Sequence, residues 1–289
     1  MRRPPQCVGE LLKTHVAYLK AKAHTFPLND CLILLSNITG KSKEFLLAHP
    51  EFQLREDEIN RFSAMVRRLR QGEPLAYLVG EKEFWGHLFI CSPDTLIPRP
   101  ETELLVELSI KHLDKRPPDL ILDLGTGTGA VGISLLAHWK ESKAILTDID
   151  LSALLVAREN CMRILGNVHR ASFICCDWFN AFKKGFRADL ITANPPYVSR
   201  RQMNLLDKSV REHEPERALF SRDGTGYSEI ETILGNAHRH LAKGGLLLCE
   251  IGIGQAKRLL SFARSLDVYR TIDVVKDLSG IDRVIAASL

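Results

Sequence analysis

From Leu120 to the end of the chain, short β-type runs alternate with helical stretches, and that alternation constrains the fold more than any other feature. Residues 120–124, 144–148, 172–176, 189–193, 246–251, 271–275 and 283–287 predict strands. Residues 130–139, 151–164, 227–242 and 254–265 predict helices between them. Several runs are apolar almost throughout, as strands covered on both faces must be. The pattern predicts an α/β doubly wound sheet, in which ligands sit beyond the carboxyl ends of the strands. Function is therefore sought in the residues that close each strand.

The first strand closes on Asp123-Leu124-Gly125-Thr126-Gly127-Thr128-Gly129 and runs into a helix at Ala130. Glycines there let backbone approach a ligand closely, and the helix N-terminus offers free N–H groups. The spacing also fits a dinucleotide fingerprint, so the loop alone does not separate NAD from S-adenosylmethionine. Asp148 closes the second strand, 23 residues after Gly125, where a carboxylate can accept both hydroxyls of an adenosine ribose. Asp150 reads as the N-cap of the next helix. The third strand closes on Asp177-Trp178: an acceptor for an adenine amino proton, then a flat apolar wall.

The fourth strand closes on Asn194-Pro195-Pro196-Tyr197. Each proline fixes its own φ and lacks an N–H, so the chain leaves the sheet stiff, extended and poor in donors. Asn194 and Tyr197 flank that corner. Two acceptors, the Asn194 side-chain oxygen and the Pro195 carbonyl, can take the protons of a planar –NH2 group while the ring packs on its face. A dehydrogenase has no evident use for such a clamp; a methyltransferase acting on a planar nitrogen does. Catalysis would then be mostly alignment, with stabilisation of the positive charge that develops on nitrogen.

Residues 8–71 read as helices only. Val8, Leu11, Leu12, Val16 and Leu19 recur at helical spacing, and Pro27 is expected to end that segment. Cys31 to Ile38 forms a second helix, Ser42 caps a third, and Ile59, Phe62, Met65, Val66 and Leu69 face one side of a fourth. Phe84 to Ile90 predicts a hairpin turning at Gly86-His87, and an amphipathic helix follows through Leu113. The expected division is a helical, partner-binding domain at 1–75, a hairpin and linker helix at 76–115, and a catalytic domain at 116–289.

A net charge of +4 with no long Lys/Arg block gives no reason to expect nucleic acid. The seven cysteines are scattered without C-x-x-C spacing, which argues against a zinc site or disulfide framework and for a reducing compartment, the cytoplasm. No apolar stretch reaches membrane-spanning length. His238 and His240, two apart on an expected helix, do not share a face and make no metal pair. His213-Glu214-Pro215-Glu216 could shape a substrate entrance, though a solvated loop is the plainer reading.

With these motifs in place, the chain resembles the PrmC/HemK family of protein N5-glutamine methyltransferases. The resemblance rests on Gly72-Glu73-Pro74-Leu75-Ala76-Tyr77, Phe84-Trp85-Gly86, Ile97-Pro98-Arg99-Pro100-Glu101-Thr102-Glu103, the Asp123 to Gly129 loop, Asp177-Trp178, the Asn194 to Tyr197 clamp, and Lys276-Asp277-Leu278-Ser279-Gly280 with Arg283. It implies a Rossmann-like class I methyltransferase domain with a small N-terminal helical bundle. It also implies S-adenosylmethionine as methyl donor and the glutamine of a Gly-Gly-Gln loop in peptide chain release factors as acceptor. Cofactor binding would fall to Gly125, Thr126, Gly127, Thr128, Gly129, Asp148, Asp177, Trp178 and Asn194; Asn194, Pro195, Pro196 and Tyr197 would hold the glutamine, with Asn194, Pro195 and Tyr197 catalytic. The bundle would help to hold the release factor, and the enzyme is expected to be a monomer. His213 stands where an aromatic is expected before Glu-Pro.

Three other readings compete. A sister enzyme methylating a ribosomal protein would share the catalytic motifs. An adenine-N6 DNA methyltransferase shares Asn-Pro-Pro-Tyr but would need a sizeable recognition region, and the connection from Val198 to Gly226 is short and of mixed charge. A non-catalytic S-adenosylmethionine-binding scaffold would be expected to have lost the clamp, which is intact.

Overall fold

The structure, a computed structural model, describes residues 7–22 and 24–289. It divides into two units. One runs to Gly80 and includes the segment Lys208–His213; the other comprises Glu81–Asp207 and Glu214–Leu289.

The first unit is helical: α1 (Val8–Lys20), α2 (Pro27–Thr39), α3 (Lys43–Ala48), α4 (Glu56–Gln71) and α5 (Leu75–Val79). Leu11, Leu34, Leu35, Leu46, Phe62 and Val66 fill its core. Ser42 caps α3 by accepting from the Phe45 N–H, as expected. The stop expected at Pro27 is instead a start. The first helix already ends at Lys20, and Pro27 is the first residue of α2, where its missing N–H would have had no intrahelical partner.

The second unit opens with a hairpin of β1 (Glu81–Phe84) and β2 (His87–Ile90), followed by α6 (Glu103–Leu113). Phe84 and Phe89 meet edge to face, ring centres 6.0 Å apart, and join Leu105 and Leu108 of α6 in the core of this unit. The stretch 76–115, expected to stand by itself, is thus divided: its first residues close the helical unit, and its hairpin and helix belong to the second unit.

Then come β3 (Leu120–Leu124), α7 (Ala130–His138), β4 (Lys143–Asp148), α8 (Leu151–Leu165), β5 (Ala171–Cys175), β6 (Ala188–Ala193), α9 (Ser228–Ala237), β7 (Leu241–Glu250), α10 (Ala256–Ser265), β8 (Thr271–Lys276) and β9 (Asp282–Ser288). The seven long strands form one sheet in the order β5-β4-β3-β6-β7-β9-β8, with β9 antiparallel to both its neighbours. Alternate residues serve opposite faces: Ile121 and Leu190 pack toward α6 and α7, and Leu122 and Ile191 toward α9 and α10. From β3 the chain lays down β4 and β5 on one side, then returns to place β6 on the other. This is the switch point at which a doubly wound sheet opens a crevice.

The helix expected over 227–242 is shorter, ending at Ala237, and His238 and His240 lie beyond it. Leu241 and Ala242 already belong to β7, whose register against β6 jumps between Ala188 and Leu190. Gly245 permits the irregularity, since a Cβ there would lie 2.9 Å from the Ala242 carbonyl oxygen. Among the described residues no helix is long and apolar enough to cross a membrane.

Candidate active site

The carboxyl ends of β3, β4 and β6 border a cavity of about 570 Å3 whose lining includes Gly125, Asp148, Asp177, Trp178 and Asn194. That volume suits a ligand of cofactor size.

The floor of the cavity is built on Asp123. Its carboxylate accepts from Thr126 Oγ1 at 2.5 Å, Thr192 Oγ1 at 2.7 Å and the Gly132 N–H at 3.2 Å, tying the glycine loop to β6 and to α7. Burial pushes the Asp123 pKa up, and those three bonds oppose it. Gly125 sits at φ 64°, and a Cβ there would lie 3.3 Å from the indole of Trp178. Only glycine combines that conformation with that approach.

Asp148 receives the Gly127 N–H on Oδ2 at 2.9 Å and the Asp150 N–H on Oδ1 at 3.0 Å. Each oxygen keeps a lone pair for a further donor, which suits a vicinal diol. Burial raises its pKa as well. Asp150 caps α8 through the Ser152 N–H at 2.9 Å, as its position predicted.

Asp177 is engaged within the protein. Arg222 grips it with both terminal nitrogens, one at 2.7 Å, and the guanidinium holds the Asp177 carboxyl below its usual range. Its neighbour Trp178 adopts φ 45°, uncommon for a bulky side chain. Its indole donates to Glu229 Oε2 at 2.8 Å, and Glu229 Oε1 accepts the Arg222 N–H at 3.1 Å.

At the end of β6, Asn194 Nδ2 donates to Thr102 Oγ1 at 3.0 Å, and Thr102 donates to Glu250 Oε2 at 2.7 Å. Tyr197 donates its phenol proton to Glu250 Oε1 at 3.0 Å, and its carbonyl accepts from Gln255 Nε2 at 3.0 Å. Asn194 Oδ1 and the Pro195 carbonyl take no hydrogen bond among the described residues; Asn194 lines the cavity, while Pro195 is buried and is not part of its lining.

Glu214, expected in a solvated loop, is buried, with a side chain 1% exposed. It accepts from Arg99 Nη2 at 2.5 Å and from the Ile97 N–H at 3.1 Å, fixing the Ile97 to Glu103 stretch. Thr102, Glu229 and Glu250 are residues to which sequence reasoning gave no role of their own. For Glu250 a signal existed: it is a lone acid closing an otherwise apolar run, and the strand register sets it level with Asp148 and Asn194.

The cavity fits S-adenosylmethionine by its donor set: an open loop at a helix N-terminus, a strand-end carboxylate with free lone pairs, and an aromatic wall. The fold agrees with a methyltransferase from Pyrococcus furiosus, which superposes with a TM-score of 0.50 at 16% identity over 78% of this chain and 98% of that one. The family description "PrmC N-terminal domain" matches residues 10–80, and "Methyltransferase small domain" matches residues 101–214. A release factor glutamine methyltransferase of Aliivibrio fischeri is 33% identical over 96% of this chain and 95% of its own length. One of Coxiella burnetii is 36% identical over 90% of this chain and 91% of its own. Similarity of that extent, over nearly the whole length of both chains, shows that the chain belongs to the release factor glutamine methyltransferase family.

Proposed function

We propose that this protein methylates the side-chain nitrogen of a glutamine in the Gly-Gly-Gln loop of peptide chain release factors, with S-adenosylmethionine as donor. The observation that carries the reading is Asn194, which lines the cavity beside the glycine loop and is held through its Nδ2 by Thr102, a bond that leaves its Oδ1 unused.

The bound donor supplies a methyl group on a sulfonium, an electrophile that needs no further activation. Gly125 to Gly129 and Asp148 would hold it, Trp178 would wall its flat end, and Asp177 would accept from its amino group in competition with Arg222. The chemical difficulty lies in the acceptor, whose amide nitrogen shares its lone pair with the carbonyl. Two N–H bonds, to Asn194 Oδ1 and the Pro195 carbonyl, fix the nitrogen in place and raise its electron density. The same two oxygens stabilise positive charge as it develops there. As the new N–C bond formed, the methyl–sulfur bond would break, its electron pair returning to sulfur to leave a neutral thioether; the nitrogen would then shed a proton to water, so no strong base is required. Tyr197 packs on the amide face, and Pro196 keeps the corner from relaxing. The helical unit binds the release factor, and the enzyme works as a cytoplasmic monomer.

Methyl-labelled S-adenosylmethionine offered with a release factor, its Gln→Ala variant in the Gly-Gly-Gln loop, and duplex DNA tests the reading. Label on the release factor that vanishes with the variant is the expected result. Label on DNA alone, or on the variant equally, overturns it.

A further inference from the structure

Glu250 closes β7 almost entirely out of water, 1% exposed, yet it touches neither the cavity nor any part of the expected clamp except the Tyr197 hydroxyl. Its two oxygens are shared out, Oε2 to Thr102 and Oε1 to Tyr197. A carboxylate only accepts, and each hydroxyl has one proton. Thr102 has therefore committed its proton to Glu250 and presents only lone pairs to Asn194. Against lone pairs an amide must turn its NH2, and Asn194 does so at 3.0 Å. The opposite end of that amide, Oδ1, is then forced toward the acceptor.

We propose that Glu250 is a positioning residue that sets the direction of the hydrogen-bond chain from Tyr197 and Thr102 to Asn194, so that the clamp presents an oxygen rather than an NH2 group to the acceptor nitrogen. The inference rests on the clamp role proposed above for Asn194. A neutral donor at position 250 removes the constraint: Thr102 can donate to Asn194 Oδ1, the amide turns over, and its NH2 confronts the NH2 of the acceptor.

The Lys276 to Arg283 motif finds a purpose in the same chain. Asp277 accepts the Ser279 and Ile281 N–H groups at 2.9 and 3.0 Å, folding the β8–β9 turn. It also holds Arg283, itself 8% exposed, through Nε and Nη2 at 3.1 Å. Burial pushes the Glu250 pKa up to about 7; the Thr102 and Tyr197 hydroxyls and, after them, the Arg283 charge from β9 favour the carboxylate, and Glu101 opposes it. Cys249, adjacent on β7, is buried and held as the neutral thiol, and Arg99 faces the Tyr197 phenol. The chain direction is therefore set above neutrality and lost below it.

Two measurements decide the matter. In the first, kcat with release factor is followed against pH for the wild type, Glu250→Gln, Thr102→Val and Thr102→Ser, with the cofactor Kd taken by calorimetry. Wild-type kcat should fall on the acid side with a midpoint near 7. Glu250→Gln should lose about tenfold to a hundredfold in kcat with no acid limb, and Thr102→Val a similar factor, while Thr102→Ser restores the rate. Cofactor Kd should stay within about twofold throughout. Equal kcat and an unchanged profile in Glu250→Gln overturn the proposal.

The second measurement needs no substrate. The side-chain amide resonances of Asn194, identified by their loss in Asn194→Ala, should titrate in the wild type and stand still in Glu250→Gln. Resonances that ignore both pH and the substitution overturn the proposal. Should the wild type leave release factor unlabelled, the substrate reading falls, and the resonances still decide the role of Glu250.

Discussion

The indole of Trp178 and the carboxylate of Glu229 are joined by a 2.8 Å hydrogen bond that fixes the wall of the cofactor cavity. Trp178 holds a backbone conformation that costs a bulky residue about 1–2 kcal/mol, and the bond offsets part of that. Glu229→Ala should free the ring and strand the Arg222 N–H that Glu229 also accepts. The expected result is a cofactor Kd raised about tenfold, or about 1.4 kcal/mol. Calorimetric titration checks it; a Kd unchanged within twofold would show that the ring is held by packing alone.

Asp148 and Asn194 divide the work at neighbouring strand ends. Asp148→Ala should weaken cofactor binding first, by about 3 kcal/mol or more for two lost hydrogen bonds to a charged acceptor. Asn194→Ala should abolish transfer while cofactor affinity changes little, because its oxygen serves the acceptor. Kd and single-turnover rate measured on both variants separate the roles. Equal loss of cofactor affinity in the two would contradict the division.

These strand ends were legible because they are local. An apolar run broken by Gly, Asp-Trp or Asn-Pro-Pro announces itself within eight residues. The bonds that aim those side chains are not local: Thr102 and Glu250 meet across 148 positions, and Arg99 and Glu214 across 115. Thr102 stood in plain view inside a motif, but nothing in its neighbours says that its hydroxyl faces β7. The His213 to Glu216 stretch misled for a related reason. Its charges look solvated, and only the fold supplies the Arg99 that buries one of them. Pro27 shows a different ambiguity, since the same residue that stops one helix is well suited to begin another.

Arg222 and Asp177 make a pair that the cofactor must contend with. The guanidinium occupies both oxygens that would accept an adenine amino proton. The Arg222 side chain is 54% exposed, so the pair is worth at most about 1 kcal/mol. Arg222→Met should therefore tighten cofactor binding by about twofold to fivefold, most clearly at low salt. Asp177→Asn should weaken it in either background. Looser binding in Arg222→Met would mean that the arginine serves as part of the cavity wall rather than as a competitor.

The raised pKa of Glu250 carries a stability cost that pH exposes. Burial lifts it from 4.5 to about 7, so between those values the folded state holds a proton that the unfolded chain has released. The contribution to stability is fully present below pH 4.5 and is lost as pH rises through about 7, leaving the ionised carboxylate a net burden above it. Glu250→Gln resembles the protonated state at every pH. It should match the wild type at ~pH 4 and exceed it at ~pH 8 by about 3 kcal/mol, read as a shifted urea midpoint at constant slope. If the variant is instead less stable at pH 8, then Arg283 and the two hydroxyls outweigh burial and Glu250 is ionised well below neutrality. The enzyme would thus give up stability above neutrality for a carboxylate that orients Asn194, which is the direction of trade expected at a catalytic site.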